Sequence, residues 1–306
     1  MKKLRFLVSL LTTENHYQRL QESFARDTAQ RLGVDVEILF ANNDAISLSE
    51  QLLNTIQSPA KDSRPDGIVC YPVGTTLLQV ARQAAAAGIG WAVLNRECEY
   101  TAELRKSYNS PIFSVGTDNA EIGRLQGRQM GAMLPQGGLV LYLLGPSVSS
   151  IAQLRLSEMQ STKPASIQVR TLIGNWSEQS GYKAVSRWLQ LSTSHKTPVN
   201  LVAAQNDDMA LGARKAFEAE TRGAERERWA SLPYIGCDYC PGAGQEWVRK
   251  GLLAASVVNP PTSGIALELM VKAIESKSQP AERTLAAPAS YPPIEKLAAT
   301  PARKAQ

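Results

Sequence analysis

The chain has 306 residues, of which 43% are hydrophobic, 20% charged and 6% aromatic, and its formal net charge is +5. That is the profile of an ordinary globular protein long enough for about two domains. No apolar run approaches the ~18 residues a bilayer span needs, and no dense Lys/Arg cluster interleaved with aromatics supports a nucleic-acid partner.

Met1-Lys2-Lys3 followed by Leu4 to Leu11 has the outline of a secretory signal. The apolar run is short for that role, and Thr12-Thr13-Glu14 follows without an Ala-x-Ala cleavage pattern, so these residues are read as a first buried strand. Tyr17, Leu20, Phe24, Thr28 and Leu32 share one helical face, and Gly33 ends that helix. Val34 to Phe40 alternates as a second strand. Leu48, Leu52, Leu53 and Ile56 mark a helix, and Pro65-Asp66-Gly67 is a turn before a third strand, Ile68 to Tyr71. An alanine-rich helix spans Thr75 to Gly88, and Trp91 to Leu94 is a fourth strand. A polar loop then leads to a fifth, Ile112 to Val115.

The rhythm repeats. Asp118 caps a helix to Leu134; strands are expected over Leu139 to Leu144, Ser166 to Ile173, Val199 to Ala204, Tyr234 to Cys237 and Ala254 to Val258. Helices fall over Ser150 to Gln160, Ser177 to Leu191, Gly242 to Lys250 and Thr262 to Ile274. Glu218 to Arg228 reads as a solvated helix end and loop. Alternating strands and helices imply parallel sheets covered on both faces. About ten strands is many for one open twisted sheet, so two stacked α/β lobes are expected. The tail after Ser276, with Pro280, Pro288, Pro292, Pro293 and Pro301, is expected to cross back over the domains, with 298–306 disordered.

The chemistry of an enzyme is not written in the chain. Its two histidines, His16 and His195, accompany no G-x-S-x-G elbow, and there is no phosphate loop, dinucleotide fingerprint, HExxH or Asp-rich metal loop. No cofactor or metal is expected. Cys237 and Cys240 have CxxC spacing, but Cys70 and Cys98 supply no second pair for a zinc ribbon. Small buried thiols are the simpler reading.

The residues that gather at the carboxyl ends of the expected strands are Thr13, Asn15, His16 and Tyr17, then Tyr71 and Pro72, then Asn95 and Arg96. In the second half they are Ser150 with Arg155, Trp176, Asn206, Asp238 and Asn259. In open α/β sheets that edge is where ligands bind. The set mixes planar rings with amides, a carboxylate and guanidiniums, which suits the apolar faces and vicinal hydroxyls of a sugar or polyol. Simpler alternatives stand beside this: Trp176 as core, Arg96 and Arg155 as surface ion pairs, Tyr71 as a strand end, and the acids after Asn206 as an ordinary helix cap.

That last segment, Gln205-Asn206-Asp207-Asp208-Met209-Ala210-Leu211-Gly212-Ala213, closely resembles the "QNDxMALGA" segment of type I periplasmic binding proteins, the ribose-binding-protein group. The same scaffold forms the effector domain of lactose-repressor-type regulators. The resemblance covers residues 4 to 275 of the sequence, roughly. Thr117-Asp118-Asn119 matches the family's crossover between lobes, and Asn95-Arg96 stands where the family commonly has Asp-Arg. Arg155, Trp176, Asn206, Asp238 and Asn259 stand at its sugar-contacting positions. Three departures weaken ribose as the ligand: Glu14-Asn15-His16-Tyr17 replaces an Asn-Pro-Phe-Phe-like run, Asn95 replaces a carboxylate, and Cys237 replaces an aromatic.

The resemblance implies two Rossmann-like lobes with parallel sheets, 1–116 with 260–280 and 117–259 with 281–297. They would be joined by hinges near Val115 to Asp118, Val258 to Pro261 and after Ser276. It further implies capture of a small carbohydrate in the cleft, hinge closure, and an ABC-transporter permease or membrane sensor as partner. The alternative is the effector module of a regulator without its own DNA-binding domain, since no helix-turn-helix precedes the first strand. Location is read two ways: periplasmic by resemblance, cytoplasmic by the missing signal pattern.

Overall fold

The structure, a computed structural model, describes residues 3–59, 63–74, 77–96 and 98–297. The chain divides into two compact units, Met1–Thr117 with Pro261–Ala286, and Asp118–Pro260 with Ala287–Gln306. In chain order the first unit begins with β1 (Arg5–Leu10), α1 (His16–Leu32), β2 (Asp35–Phe40), α2 (Ala45–Ile56), β3 (Gly67–Cys70), α3 (Leu78–Ala86), β4 (Gly90–Leu94), α4 (Tyr100–Ser107) and β5 (Ile112–Thr117). The second follows with α5 (Asn119–Met133), β6 (Gly138–Leu144), α6 (Ser150–Thr162), β7 (Ile167–Ile173), α7 (Glu178–Leu189), β8 (Val199–Ala204), α8 (Asp207–Glu220), α9 (Gly223–Ser231), β9 (Tyr234–Asp238), α10 (Gly244–Arg249) and β10 (Ala255–Val258). The chain then returns with α11 (Ser263–Ser276) and β11 (Arg283–Ala286) to the first unit, and ends with β12 (Ala289–Tyr291) and α12 (Ile294–Leu297) in the second.

The first unit's sheet runs β11-β5-β4-β3-β1-β2, with every pairing parallel. Its inner strands are uninterrupted buried runs because helices cover both faces, whereas β2, at the edge, alternates towards water. Helix α1 starts where Asn15 Oδ1 accepts from the Gln18 backbone N, and it stops where Gly33 turns left-handed at φ 69°. The second unit's sheet runs β12-β10-β9-β8-β6-β7, parallel except for β12, which lies antiparallel on β10. Each strand order reverses once, between β1 and β3 and between β6 and β8, and such switch points are where open α/β sheets leave a crevice for ligands.

Helix packing in the second unit explains one glycine of the family-like segment. Gly212 lies where α8 crosses α7, and a Cβ there would stand 2.0 Å from the Glu178 carbonyl oxygen. Only hydrogen fits. Beneath the sheet, Gln126 of α5 donates from Nε2 to the carbonyls of Ala204 (2.7 Å) and Gly236 (3.3 Å) and accepts from the Tyr142 hydroxyl (2.5 Å). It ties β8 to β9 beyond the point where their direct pairing, Val202 with Tyr234 and Ala203 with Ile235, has ended.

Two expectations are corrected, and the tail takes a more definite form. The polar stretch after β4 contains a helix, α4, because Tyr100, Thr101 and Leu104 form one short buried stripe. The charged segment expected to be a solvated end and loop contains α9, held by a fully buried Trp229 that stacks on Phe217 at 4.0 Å and meets Trp188 edge-on at 5.7 Å. The tail supplies an outer strand to each sheet, β11 beside β5 and β12 beside β10. The expected disorder over 298–306 lies outside the described residues, as do the first two residues of the helix expected over Thr75 to Gly88. Among the described residues, no helix is long and apolar enough to cross a membrane.

Candidate functional site

Each unit carries its own cluster at the carboxyl ends of its strands. In the first, Asn95 leaves β4 in a left-handed conformation, φ 53°, and its amide is used in full. Oδ1 accepts from the Thr117 backbone N at 3.0 Å, while Nδ2 donates to the Tyr17 hydroxyl at 3.4 Å and Thr262 Oγ1 at 3.3 Å. Gln21 completes the brace, donating to Thr262 Oγ1 and accepting from the backbone N of Thr262 and of Ser263. Asn95 and Asn15 therefore hold the cluster's shape, Asn15 as the α1 cap. Tyr17 and Tyr71 are buried beside them, and His16 and Arg96 are half-buried. Arg96 donates weakly from Nη1 to the Gly74 carbonyl, 3.5 Å, and its Nε meets no acceptor among the described residues.

The second unit's cluster is built round Arg155, which is only 5% exposed. Its Nε donates to Asn119 Oδ1 at 2.9 Å and its Nη1 to the Gln205 carbonyl at 2.8 Å, while the guanidinium lies 5.7 Å from the centre of the Trp176 ring. Gln205 fastens β8 to β6 and α6, accepting from the Gly145 backbone N and donating to the Ala152 carbonyl. Asn206 caps α8 by accepting from the Met209 backbone N at 3.0 Å, and its Nδ2 donates to the Trp176 carbonyl at 2.8 Å. Trp176 is half-buried at φ 74°, and its indole lies so close over Gly145 that a Cβ there would come within 2.1 Å of the ring. Asp238, at φ 112°, accepts from Asn259 Nδ2 at 3.0 Å. Burial pushes its carboxyl up to about 7, against the opposing pull of Arg155.

Asn95, Trp176 and Asp238 are thus three non-glycine residues at positive φ within the clusters. Such conformations cost about 1–3 kcal/mol each and persist where the surroundings over-determine them, which is common at binding sites. Ser150 is placed differently from its neighbours. It is exposed in the first turn of α6, and Ser149 is the cap, accepting from the Ala152 backbone N. Residues that the strand-end reading passed over are Asn119, Gln205, Asp207 and Ser256, all buried polar groups. Gln205 and Asp207 lay within the family-like segment, so the signal was there; nothing local marked Ser256. Cys237 and Cys240 are free and buried, and burial pushes both thiols far up, away from the thiolate that redox or metal chemistry needs.

The profile of the family described as "Periplasmic binding protein domain" matches residues 6–278. A putative rhizopine-binding protein of Rhizobium meliloti is 26% identical over 226 residues, which cover 71% of this chain and 68% of that protein. A D-ribose/D-allose-binding protein of Pseudomonas aeruginosa is 28% identical over 163 residues, 52% of this chain and 49% of the relative, so that match spans about half its length. Among solved structures, an ABC transporter periplasmic solute-binding protein of Actinobacillus succinogenes with bound D-allose superposes with a TM-score of 0.79 at 21% identity, covering 97% of this chain and all of that one. A Caulobacter myo-inositol binding protein bound to myo-inositol gives 0.77 at 20% identity, covering 94% and 92%. The profile covers most of the chain, and the superpositions share its two parallel-sheet units. The chain belongs to the periplasmic binding protein family, with the type I fold, and is a solute-binding protein rather than an enzyme.

Proposed function

We propose that the protein binds a small sugar or polyol and that residues of both strand-end clusters contribute to its binding. The observation that carries this reading is the Trp176–Arg155–Asp238 grouping: a half-buried indole held by its own backbone strain, a buried guanidinium beside it, and a buried carboxyl oriented by Asn259. An indole offers an apolar plane to the C–H face of a pyranose or cyclitol ring, while a carboxylate and a guanidinium pair with its hydroxyls. In the first unit Arg96 supplies further donors, and Tyr17 and Tyr71 supply aromatic surface. Asn95 and Asn206 act by fixing these groups, since both ends of their amides are engaged by the protein, and the Asn15 oxygen caps α1. Ligands in the similar structures, D-allose and myo-inositol, have the size and hydroxyl pattern this chemistry suits.

The partner of the loaded form is an ABC-transporter permease or a membrane sensor. Binding shifts the population of conformers, with torsional change taken up at the chain passages 117–118, 260–261 and 286–287. A thermal-shift screen of pentoses, hexoses, cyclitols and nucleosides tests the reading. A ligand at ~100 times its dissociation constant adds about 2.7 kcal/mol to stability. A hit among sugars or cyclitols that disappears in Asp238→Ala supports it, and a panel without a hit removes it.

A further inference from the structure

Asp207 follows the Asn206 cap and is buried at the start of α8. Both of its carboxyl oxygens are occupied by the protein: Oδ1 accepts from Ser256 Oγ and Oδ2 from the Tyr239 backbone N, each at 2.7 Å. Ser256 belongs to β10 and Tyr239 follows β9, so one side chain just beyond the end of β8 reaches the neighbouring strand's end and the strand after it. Gly236 and Gly244 make room for it, since a Cβ at either would stand 2.1 Å from a carboxyl oxygen. The hydrogen bond to Tyr239 is made by the peptide group immediately after Asp238. Asp238 and Tyr239 both have positive φ, 112° and 52°, a backbone state that relaxes unless something holds it.

We propose that Asp207 is the positioning residue for Asp238: by holding the Asp238–Tyr239 peptide it fixes the direction of the Asp238 carboxylate, without itself touching ligand. This deepens the sugar-binding reading and rests on it for the ligand, though the geometry stands independently. The groups facing Asp207 are Asp208 on its own helix, Asp238 and Cys237 from β9, Tyr239 and Cys240 from the loop after it, and Ser256 from β10; the Arg155 guanidinium of α6 acts on Asp238 and Cys237. Burial and then the charge of Asp238 push the Asp207 carboxyl well above the ordinary range, against the bonds from Ser256 and Tyr239. A side chain of the same shape that keeps both hydrogen bonds therefore suffices. Asn at 207 can accept from Tyr239 N–H and donate to Ser256 Oγ, whose hydroxyl turns to receive it; Ala can do neither.

The test is a 13C NMR titration of the Asp238 carboxyl in the ligand-free full chain, with calorimetric affinities for D-allose and myo-inositol alongside. In the wild type and Asp207→Asn the carboxyl titrates near about 7. In Asp207→Ala the freed peptide admits water and the midpoint falls by more than about one pH unit, while affinity drops about tenfold, the scale of one lost buried hydrogen bond. A folded Asp207→Ala protein with an unmoved midpoint overturns the proposal, as does Asp207→Asn behaving like the alanine variant, which would make charge rather than hydrogen bonding the agent. If Asp207→Ala fails to fold, Asp207→Leu replaces it, filling the space but offering the Tyr239 N–H no acceptor: a midpoint moved the same way supports the role, and an unmoved one overturns it. Midpoints that shift as expected in a protein that binds neither polyol uphold the positioning role and count against the sugar reading alone.

Discussion

At the scale of single residues, the clusters separate groups that face outward from groups that hold them. The asparagines illustrate the division, since Asn95 and Asn206 spend both ends of their amides on partners within the protein and Asn15 spends its oxygen on the α1 cap. Asp238 is the titratable group of consequence. Its folded pKa of about 7 lies above its unfolded value, so between the two the folded state holds a proton the unfolded chain has released. The ligand-free protein therefore loses this contribution to stability as pH rises through that window and levels off above it. On the proposed role of Asp238, the ionised carboxylate is the stronger acceptor for ligand hydroxyls, so affinity is expected to rise with pH over the same window. Calorimetric titrations at about pH 6 and about pH 8 check this, and tighter binding at the lower pH would contradict it. Gly145→Ala drives a Cβ into the Trp176 ring and is expected to weaken sugar binding by about tenfold or more, with a smaller loss of melting temperature, because a displaced indole costs stacking more than core packing.

At the scale of elements, the buried strands and the long amphipathic helices were legible because their patterns are long and regular. Strand β8 was readable to its limits, and Asn15, Gly33, Asp118 and Asn206 bracket helices as their chemistry demands. What escaped was short. Helix α4 shows a stripe of three buried residues, and α9 is anchored by the single indole of Trp229, which gives no period to detect. Strands β11 and β12 exist because a sheet edge lies ready for them, a tertiary fact that four or three residues do not announce. Of the candidate site, the strand ends showed which side chains collect in each unit, yet not which are consumed by bracing. Trp229→Ala should cost about 3–5 kcal/mol, lowering the melting temperature while leaving affinity for ligand in the folded protein unchanged. Gln126→Leu removes the donor to the Ala204 and Gly236 carbonyls and one of the partners of the Tyr142 hydroxyl, and should cost about 2–3 kcal/mol by chemical denaturation.

At the scale of the whole molecule, the same plan is used twice: a parallel sheet whose strand order reverses once, with polar and aromatic residues gathered beyond the strand ends. Both clusters are stiffened by strained residues and engaged amides, which suits a binding surface that must be ready before its ligand arrives. The measurement that tests this account most directly is equilibrium binding of the sugar or cyclitol found by the screen to the wild type, Arg96→Ala and Asp238→Ala, one substitution in each unit. The account predicts a drop of about tenfold or more for each single variant, the scale of one charge-assisted hydrogen bond to ligand lost from the proposed set. Wild-type affinity in Arg96→Ala and Asp238→Ala alike would contradict it.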